Sequence, residues 1–196
     1  MLIRAKTIVC AVRGHGEHGA IVRGLTAGHG LLAGYVRGGR SRRLRPVLSA
    51  GNIVQAEFRA RTEDQLAALT VELITSRAAL QEEPLAAMAL DWTTALAAAT
   101  LAEGHPYPRI YAALDGVLAA IAAASVARDW AIGLVRYEAL VLAELGFGSD
   151  DPTEGSLIES LKDNGARLSA DLFVGRRVDV MAARERLIDR LARAIG

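Results

Sequence analysis

The apolar residues of this chain change their period once, near residue 77, and that change constrains the architecture more than any other feature. A strand sends alternate side chains to opposite faces, whereas a helix returns to the same face every three or four residues. Before the change the pattern is that of strands. In Ile3–Arg13 the residues Ile3, Ala5, Val9 and Ala11 recur at even spacing, with Thr7 on the same side, which predicts a half-buried strand. Gly14–Gly19 reads as a turn, Ala20–Thr26 as a second strand, Gly28–Gly30 as a tight reversal and Leu31–Val36 as a third strand. Asn52–Arg61 predicts a fourth strand and Leu66–Ser76 a fifth, although Leu66–Leu69 also suits the start of a helix. About five short strands, bent at glycines and mostly sequential, predict a small barrel of the oligonucleotide-binding (OB) kind.

Beyond residue 77 the period is helical. Pro84 suits the first turn of a helix running to about Thr100. The loop His105–Pro108 precedes a helix whose apolar side is Ile110, Leu114, Val117, Leu118 and Ile121. Trp130, Leu134, Tyr137 and Val141 mark another, stopped at Gly146–Gly148. Residues 149–164 are polar and poorly patterned, and Met181–Ile195 forms a last helix with Leu187, Ile188, Leu191 and Ile195 inward. The expected fold is α+β, an OB barrel over residues 1–78 followed by an all-helical domain over residues 79–196.

Charge divides the chain at nearly the same place. Residues 1–61 hold eleven Lys or Arg against two acids, Glu17 and Glu57, a formal +9; the rest hold twelve against twenty, a formal −8. Such asymmetry points to a polyanion or a membrane surface meeting the N-terminal third. No membrane span is expected, because the least polar stretch, Ile110–Ala127, is shorter than the ~20 residues a span needs and is broken by Asp115. The N-terminal run, bracketed by Arg4, Lys6 and Arg13, does not read as a signal peptide. The single cysteine, Cys10, excludes an intramolecular disulfide and any multi-cysteine metal site and suits a reducing cytoplasm.

Five arginines fall in nine residues: Arg37, Arg40, Arg42, Arg43 and Arg45. No carboxylate lies between Glu17 and Glu57 to offset them. Guanidinium forks match phosphate oxygens and stay protonated, so an anionic partner, nucleic acid above all, explains the cluster better than incidental surface charge. Lys6 and Arg23 are candidates to extend this surface, as are Arg4, Arg59 and Arg61. Gly38 and Gly39 would let backbone amides approach phosphates. Tyr35 and Phe58 could stack on bases, against the commoner habit of strand aromatics, which pack inward.

Other chemistry finds little support. His15 and His18 sit in a glycine turn with no rigid element to hold a metal, so no metal site is expected. The Gly38–Gly39 pair lacks the Gly-Lys-Ser/Thr ending of a phosphate loop, and no nucleophile elbow is present. Cys10 has no positioned base nearby. No catalytic residue and no cofactor is expected.

Taken in order, Gly16–Glu17, Ile21–Val22, Leu25–Thr26, Gly28–Leu31, Gly34–Arg43, Leu48 with Gly51–Asn52, Leu134–Glu138 and Leu145–Gly148 resemble the RecO family of recombination mediators. The resemblance covers roughly residues 1–148 and agrees with the barrel-then-helices reading. It implies binding of single- and double-stranded DNA and annealing of complementary strands. It further implies work with RecR, and sometimes RecF, to help RecA replace single-strand binding protein (SSB), all without covalent chemistry and in the cytoplasm at the nucleoid. It also implies a docking place for the acidic, hydrophobic SSB tail on the helices, for which Arg136 is a candidate and Arg109 and Arg128 are weaker ones. Arg136 suits a structural ion pair equally well. Many members carry a finger-like insert after the Leu-Gly-Phe-Gly segment; here the chain runs from Gly148 through a short polar stretch to the closing helices, so most of the insert is expected to be missing and zinc is not expected. Two other readings stay open: an RNA-binding OB protein, which would prefer RNA, and a structural adaptor with weak affinity for DNA.

Overall fold

Strand β1 (Leu2–His15) is the spine of the computed structural model, which describes residues 1–62, 65–148, 156–174 and 178–195. It pairs antiparallel along one edge with β2 (Gly19–Thr26) and along the other with β4 (Ile53–Arg59). β2 pairs with β3 (Gly30–Val36), and β4 with β5 (Ala67–Thr75). A short parallel pairing of Gly34 and Tyr35 with Ala67 and Ala68 closes the barrel. This is the five-stranded barrel expected from the sequence, with Leu66–Leu69 entering a strand rather than a helix.

The buried face of β1 differs from the alternation expected. Thr7, Ile8, Val9 and Cys10 are all buried in succession. Val9 points into the barrel with Val22, Val54, Ala56 and Phe58, while Ile8 and Cys10 point out and join the core of the helices. A bulge between Val9 and Ala11 then inserts one residue and inverts the faces. Ala11 therefore packs against the helical core, and Val12 stands opposite Val22 on the barrel side. An alternating pattern sees one buried face; a strand sandwiched between two cores has two.

The helices cover that outer face. A short 3₁₀ turn (Ala78–Gln81) leads to α1 (Pro84–Thr100), α2 (Pro108–Ala123) and α3 (Ala127–Glu144). The buried residues of α2 are Ile110, Leu114, Val117, Leu118 and Ile121, the face that the periodicity predicts. With Leu90, Leu96, Leu134 and Leu142 they form one core with Ile8, Cys10, Leu25, Leu31 and Ile53 of the barrel. Each large side chain of this core contributes about 1.5–3 kcal/mol by leaving water, so the barrel and the helices hold one another in place.

Within the stretch that shows no pattern, Leu157–Arg167 forms α4, which continues as a wider turn through Leu172. Its signal is local: Ser156 Oγ accepts from the Glu159 amide at 3.3 Å, and the Ser156 amide donates to Glu159 Oε2 at 2.8 Å. This reciprocal cap starts a helix that apolar spacing does not reveal. The Ser156 amide, and after it the Ser156 hydroxyl, hold the Glu159 carboxyl below the usual carboxylate range. The last helix, α5 (Val178–Ile195), buries Leu187, Ile188 and Leu191, with Ile195 only half-buried.

A charged centre lies inside the helices. Arg184 of α5 donates Nε to Glu138 Oε1 at 2.8 Å and Nη2 to Oε2 at 2.7 Å. Trp92 of α1 donates its Nε1 to the same Oε1 at 2.8 Å, and the guanidinium carbon lies 5.7 Å from the Trp92 ring centre. Both charged groups are buried, so this bidentate pair ties α1, α3 and α5 at one point.

Candidate nucleic-acid interface

The arginine segment is wound into hydrogen-bonded turns rather than left as an open loop. The amides of Gly39, Ser41, Arg45 and Leu48 donate to Val36, Gly38, Ser41 and Leu44 oxygens at 3.2, 2.9, 2.9 and 3.0 Å. Leu44, Val47 and Leu48, at helical spacing, pack on the barrel core. Their inward turn sends Arg37, Arg40, Arg42, Arg43 and Arg45 outward, and all five are exposed.

Asn52 holds the far end of the segment. Fully buried, it donates Nδ2 to the Pro46 and Val47 oxygens at 2.8 and 3.1 Å. Its Oδ1 accepts from the Arg77 amide at 2.8 Å, at the start of the helices. Periodicity and charge do not assign this role to Asn52; its signal in the sequence is a polar residue at the start of an apolar strand, directly after a glycine. The Gly51 that precedes it has φ of +81°, which lets the chain turn into β4.

The five arginines do different work. Arg40 donates Nη1 to the Gly16 and Glu17 oxygens at 3.2 and 3.3 Å, and its amide donates to the His18 oxygen at 3.1 Å. It clips the segment to the β1–β2 turn. Arg37, Arg42, Arg43 and Arg45 have no ion pair or side-chain hydrogen bond among the described residues. Like charges about 10 Å apart in water repel by only roughly 0.4 kcal/mol per pair, so the cluster survives unpaired yet gains strongly when an anion arrives. Gly39 serves packing rather than phosphate: a Cβ there would lie 2.7 Å from the Ala20 Cβ.

Beside the segment, on the outer face of β1, β2 and β3, stand Arg13, Ile21 and Tyr35 in register. Tyr35 lies across Gly19, where any Cβ would meet its ring, and sits edge-on to His15 with ring centres 5.9 Å apart. It is half-buried and outward-facing, whereas Phe58 is sealed in the barrel.

The other expected basic residues lie elsewhere. Arg23 faces the helices, donating to the Ala98 oxygen and pairing with Glu103 at 3.0 Å. Lys6 is exposed on the β1–β4 side, opposite Gln55 and seven positions before Arg13. At a strand rise of ~3.3 Å per residue that is roughly 23 Å from Arg13. Arg4 and Arg59 share Glu57, at 2.5 and 2.6 Å, and hold its carboxyl below the usual range. The structure thus brings together Arg13, Arg37, Arg40, Arg42, Arg43 and Arg45 at one end of the barrel and separates Lys6 and Arg23 from them.

A second feature lies between α2 and α3. Arg109 and Arg136 edge a cavity of about 390 Å³ floored by Ala113, Val117, Gly133 and Leu140. Arg109 pairs with Glu144 at 2.9 Å, and Arg136 is exposed. Arg128, in the first turn of α3, is not part of it. Among the described residues no group of three or more His, Cys, Asp or Glu could hold a metal, and no helix is long and apolar enough to cross a membrane. The place of the expected insert, residues 149–155, lies outside the described residues.

Cys10 is buried beneath the helices, and its thiol is pushed up to about 12 by desolvation. That removes it from nucleophilic chemistry.

Models of the N-terminal and C-terminal parts of recombination protein O match residues 1–77 and 81–150. The DNA repair protein RecO of Phenylobacterium zucineum is 43% identical over 143 residues, covering 72% of this chain and 58% of that protein. Its counterpart in Rhodospirillum rubrum is 44% identical over 146 residues, covering 73% and 58%. That of Dinoroseobacter shibae is 35% identical over 181 residues, covering 92% and 72%. The chain thus spans 58% of the length of the first two of these relatives. With a five-stranded barrel, a helical half behind it and both parts matched in order, the chain belongs to the recombination protein O family.

Proposed function

We propose that this chain is a non-enzymatic DNA-binding mediator of DNA repair that holds the phosphate backbone at the arginine end of its barrel. The observation that carries this reading is the set of outward guanidinium groups of Arg37, Arg42, Arg43 and Arg45, presented on a segment clamped by Asn52 and Arg40. Neutralising phosphates on two complementary strands lowers their mutual repulsion, which promotes annealing, and release of counterions makes the binding salt-dependent. The names of the relatives support the repair role. Work with RecR, and with RecF in some settings, to load RecA on SSB-coated DNA in the cytoplasm follows from the family resemblance. The Arg109–Arg136 cavity suits an acidic, apolar tail such as that of SSB, since it joins an apolar floor to cationic edges.

An annealing assay with complementary oligonucleotides tests the reading. Wild type accelerates annealing, and the triple variant Arg37→Ala, Arg42→Ala, Arg43→Ala does so at least tenfold less. Equal rates for the two proteins would sink the proposal. A clear preference for RNA of the same sequence would favour an RNA-binding role, and partner binding without annealing an adaptor.

A further inference from the structure

At the mouth of the barrel, beside the arginine segment, lies a cavity of about 310 Å³ lined by Val12, Gly39, Arg45, Leu48, Ser49 and Ala50. Three observations mark it as built. First, the bulge at Cys10 inverts the faces of β1 and brings Val12 to the barrel side, yet Val12 remains 43% exposed. An apolar side chain in that position closes nothing; it forms a wall. Second, the facing wall is rigid. The Leu48 amide donates to the Leu44 oxygen at 3.0 Å and the Ser49 amide to the Pro46 oxygen at 3.4 Å, while Asn52 grips the Pro46 and Val47 oxygens from below. Third, the rim is cationic: Arg45 belongs to the lining, has no partner among the described residues, and is one of five exposed arginines on the same segment.

We infer that this cavity receives one unstacked nucleobase of single-stranded DNA, with Arg45 on the adjoining phosphate. The inference rests on the DNA-binding reading above and gives it a means of telling single strands from duplex. The walls of Val12, Leu48 and Ala50 suit the flat faces of a base. Ser49 supplies a hydroxyl that can both donate and accept at a base edge. The volume is at the small end for ligand pockets, which begin near ~300 Å³, and so fits a single base rather than a stack. A paired base in a duplex cannot enter, because extruding it costs a few kcal/mol of stacking and pairing.

Binding is measured by fluorescence anisotropy with three probes: an oligothymidylate strand, the same backbone with every base removed, and a duplex of equal length. Wild type binds the base-bearing strand about tenfold more tightly than the abasic one, in keeping with the worth of one held base. Val12→Trp fills the cavity without changing charge; it loses that preference and weakens on the base-bearing strand about tenfold, while duplex affinity moves less than twofold. Ala50→Leu narrows the cavity from the other side and gives the same result, and a thermal melt checks that each variant is folded. Equal binding of base-bearing and abasic strands by wild type overturns the inference without any variant. So does a folded Val12→Trp protein that keeps the full preference. If wild type binds none of the three probes, it is the DNA-binding reading itself that fails.

Discussion

Asn52 accepts a hydrogen bond from the Arg77 amide at 2.8 Å, so a residue at the base of the arginine segment is bonded directly to the point where the helices begin. Its Nδ2 is shared by the Pro46 and Val47 oxygens on the other side. The Arg77 side chain extends this linkage to Asp115 of α2, the aspartate that interrupts the least polar stretch of the sequence. Burial lowers the pKa of this guanidinium, and the Asp115 carboxylate opposes that shift.

Asn52→Leu is expected to destabilise the protein by about 2–4 kcal/mol, because the buried Arg77 amide is left without its acceptor and the Pro46 and Val47 oxygens lose the Asn52 donor. Urea denaturation measures this. Asn52→Asp keeps the acceptor for Arg77 but turns an oxygen toward two carbonyls, so it also destabilises, and it loosens the segment enough to raise its proteolysis. A stability unchanged within 0.5 kcal/mol for Asn52→Leu, roughly the size of an ordinary surface substitution, would contradict the role assigned to it.

The arginines separate by salt dependence. Replacing Arg37, Arg42 or Arg43 singly by Ala reduces the slope of log affinity against log salt by about one for each phosphate that is no longer neutralised. Arg40→Ala, by contrast, releases the β1–β2 turn as well, so its loss of affinity exceeds what its charge explains. Titrations between 50 and 300 mM salt, a range over which screening changes strongly, read both effects.

Glu138 and Arg184 form a buried bidentate pair that also satisfies Trp92. Removing one partner, as in Glu138→Ala, leaves a buried charge and is expected to cost about 3–5 kcal/mol. The double variant Glu138→Leu, Arg184→Met regains much of that stability. A double variant as unstable as the single would argue that the pair matters for geometry rather than for charge balance.

Cys10 is expected to resist alkylation in the native protein. With its thiol raised from 9.0 to about 12, its native thiolate fraction at pH 8 is about a thousandfold below that of the unfolded chain. Iodoacetamide labelling with and without denaturant measures the ratio. The same shift sets a pH dependence. The neutral thiol favours the fold fully below pH 9, and this contribution is lost as pH rises from about 9 towards 12, since the unfolded chain ionises first. Cys10→Ala should therefore lose less stability than wild type between pH 8 and pH 10.5, values chosen to span roughly that window.

The order of barrel and helices was legible in the residues because periodicity is a local property. Ile110, Leu114, Val117, Leu118 and Ile121 share a face whatever covers them, and they are the buried residues of α2. The unpaired run of arginines was legible for the same reason: carboxylates absent from the neighbouring sequence leave a charge that no local partner offsets. Tertiary structure decided the rest. Which basic residues join the cluster depends on neighbours brought together across the fold, so Arg23 goes to Glu103 and Arg13 comes to the site. The bulge that inverts β1 is a matter of register between strands, and no alternating pattern encodes it. The clamp of Asn52 spans 25 positions to Arg77, and the Glu138–Arg184 pair spans 46. A buried polar group chooses its partner by proximity in space and by the cost of going unbonded, and neither can be read along the chain.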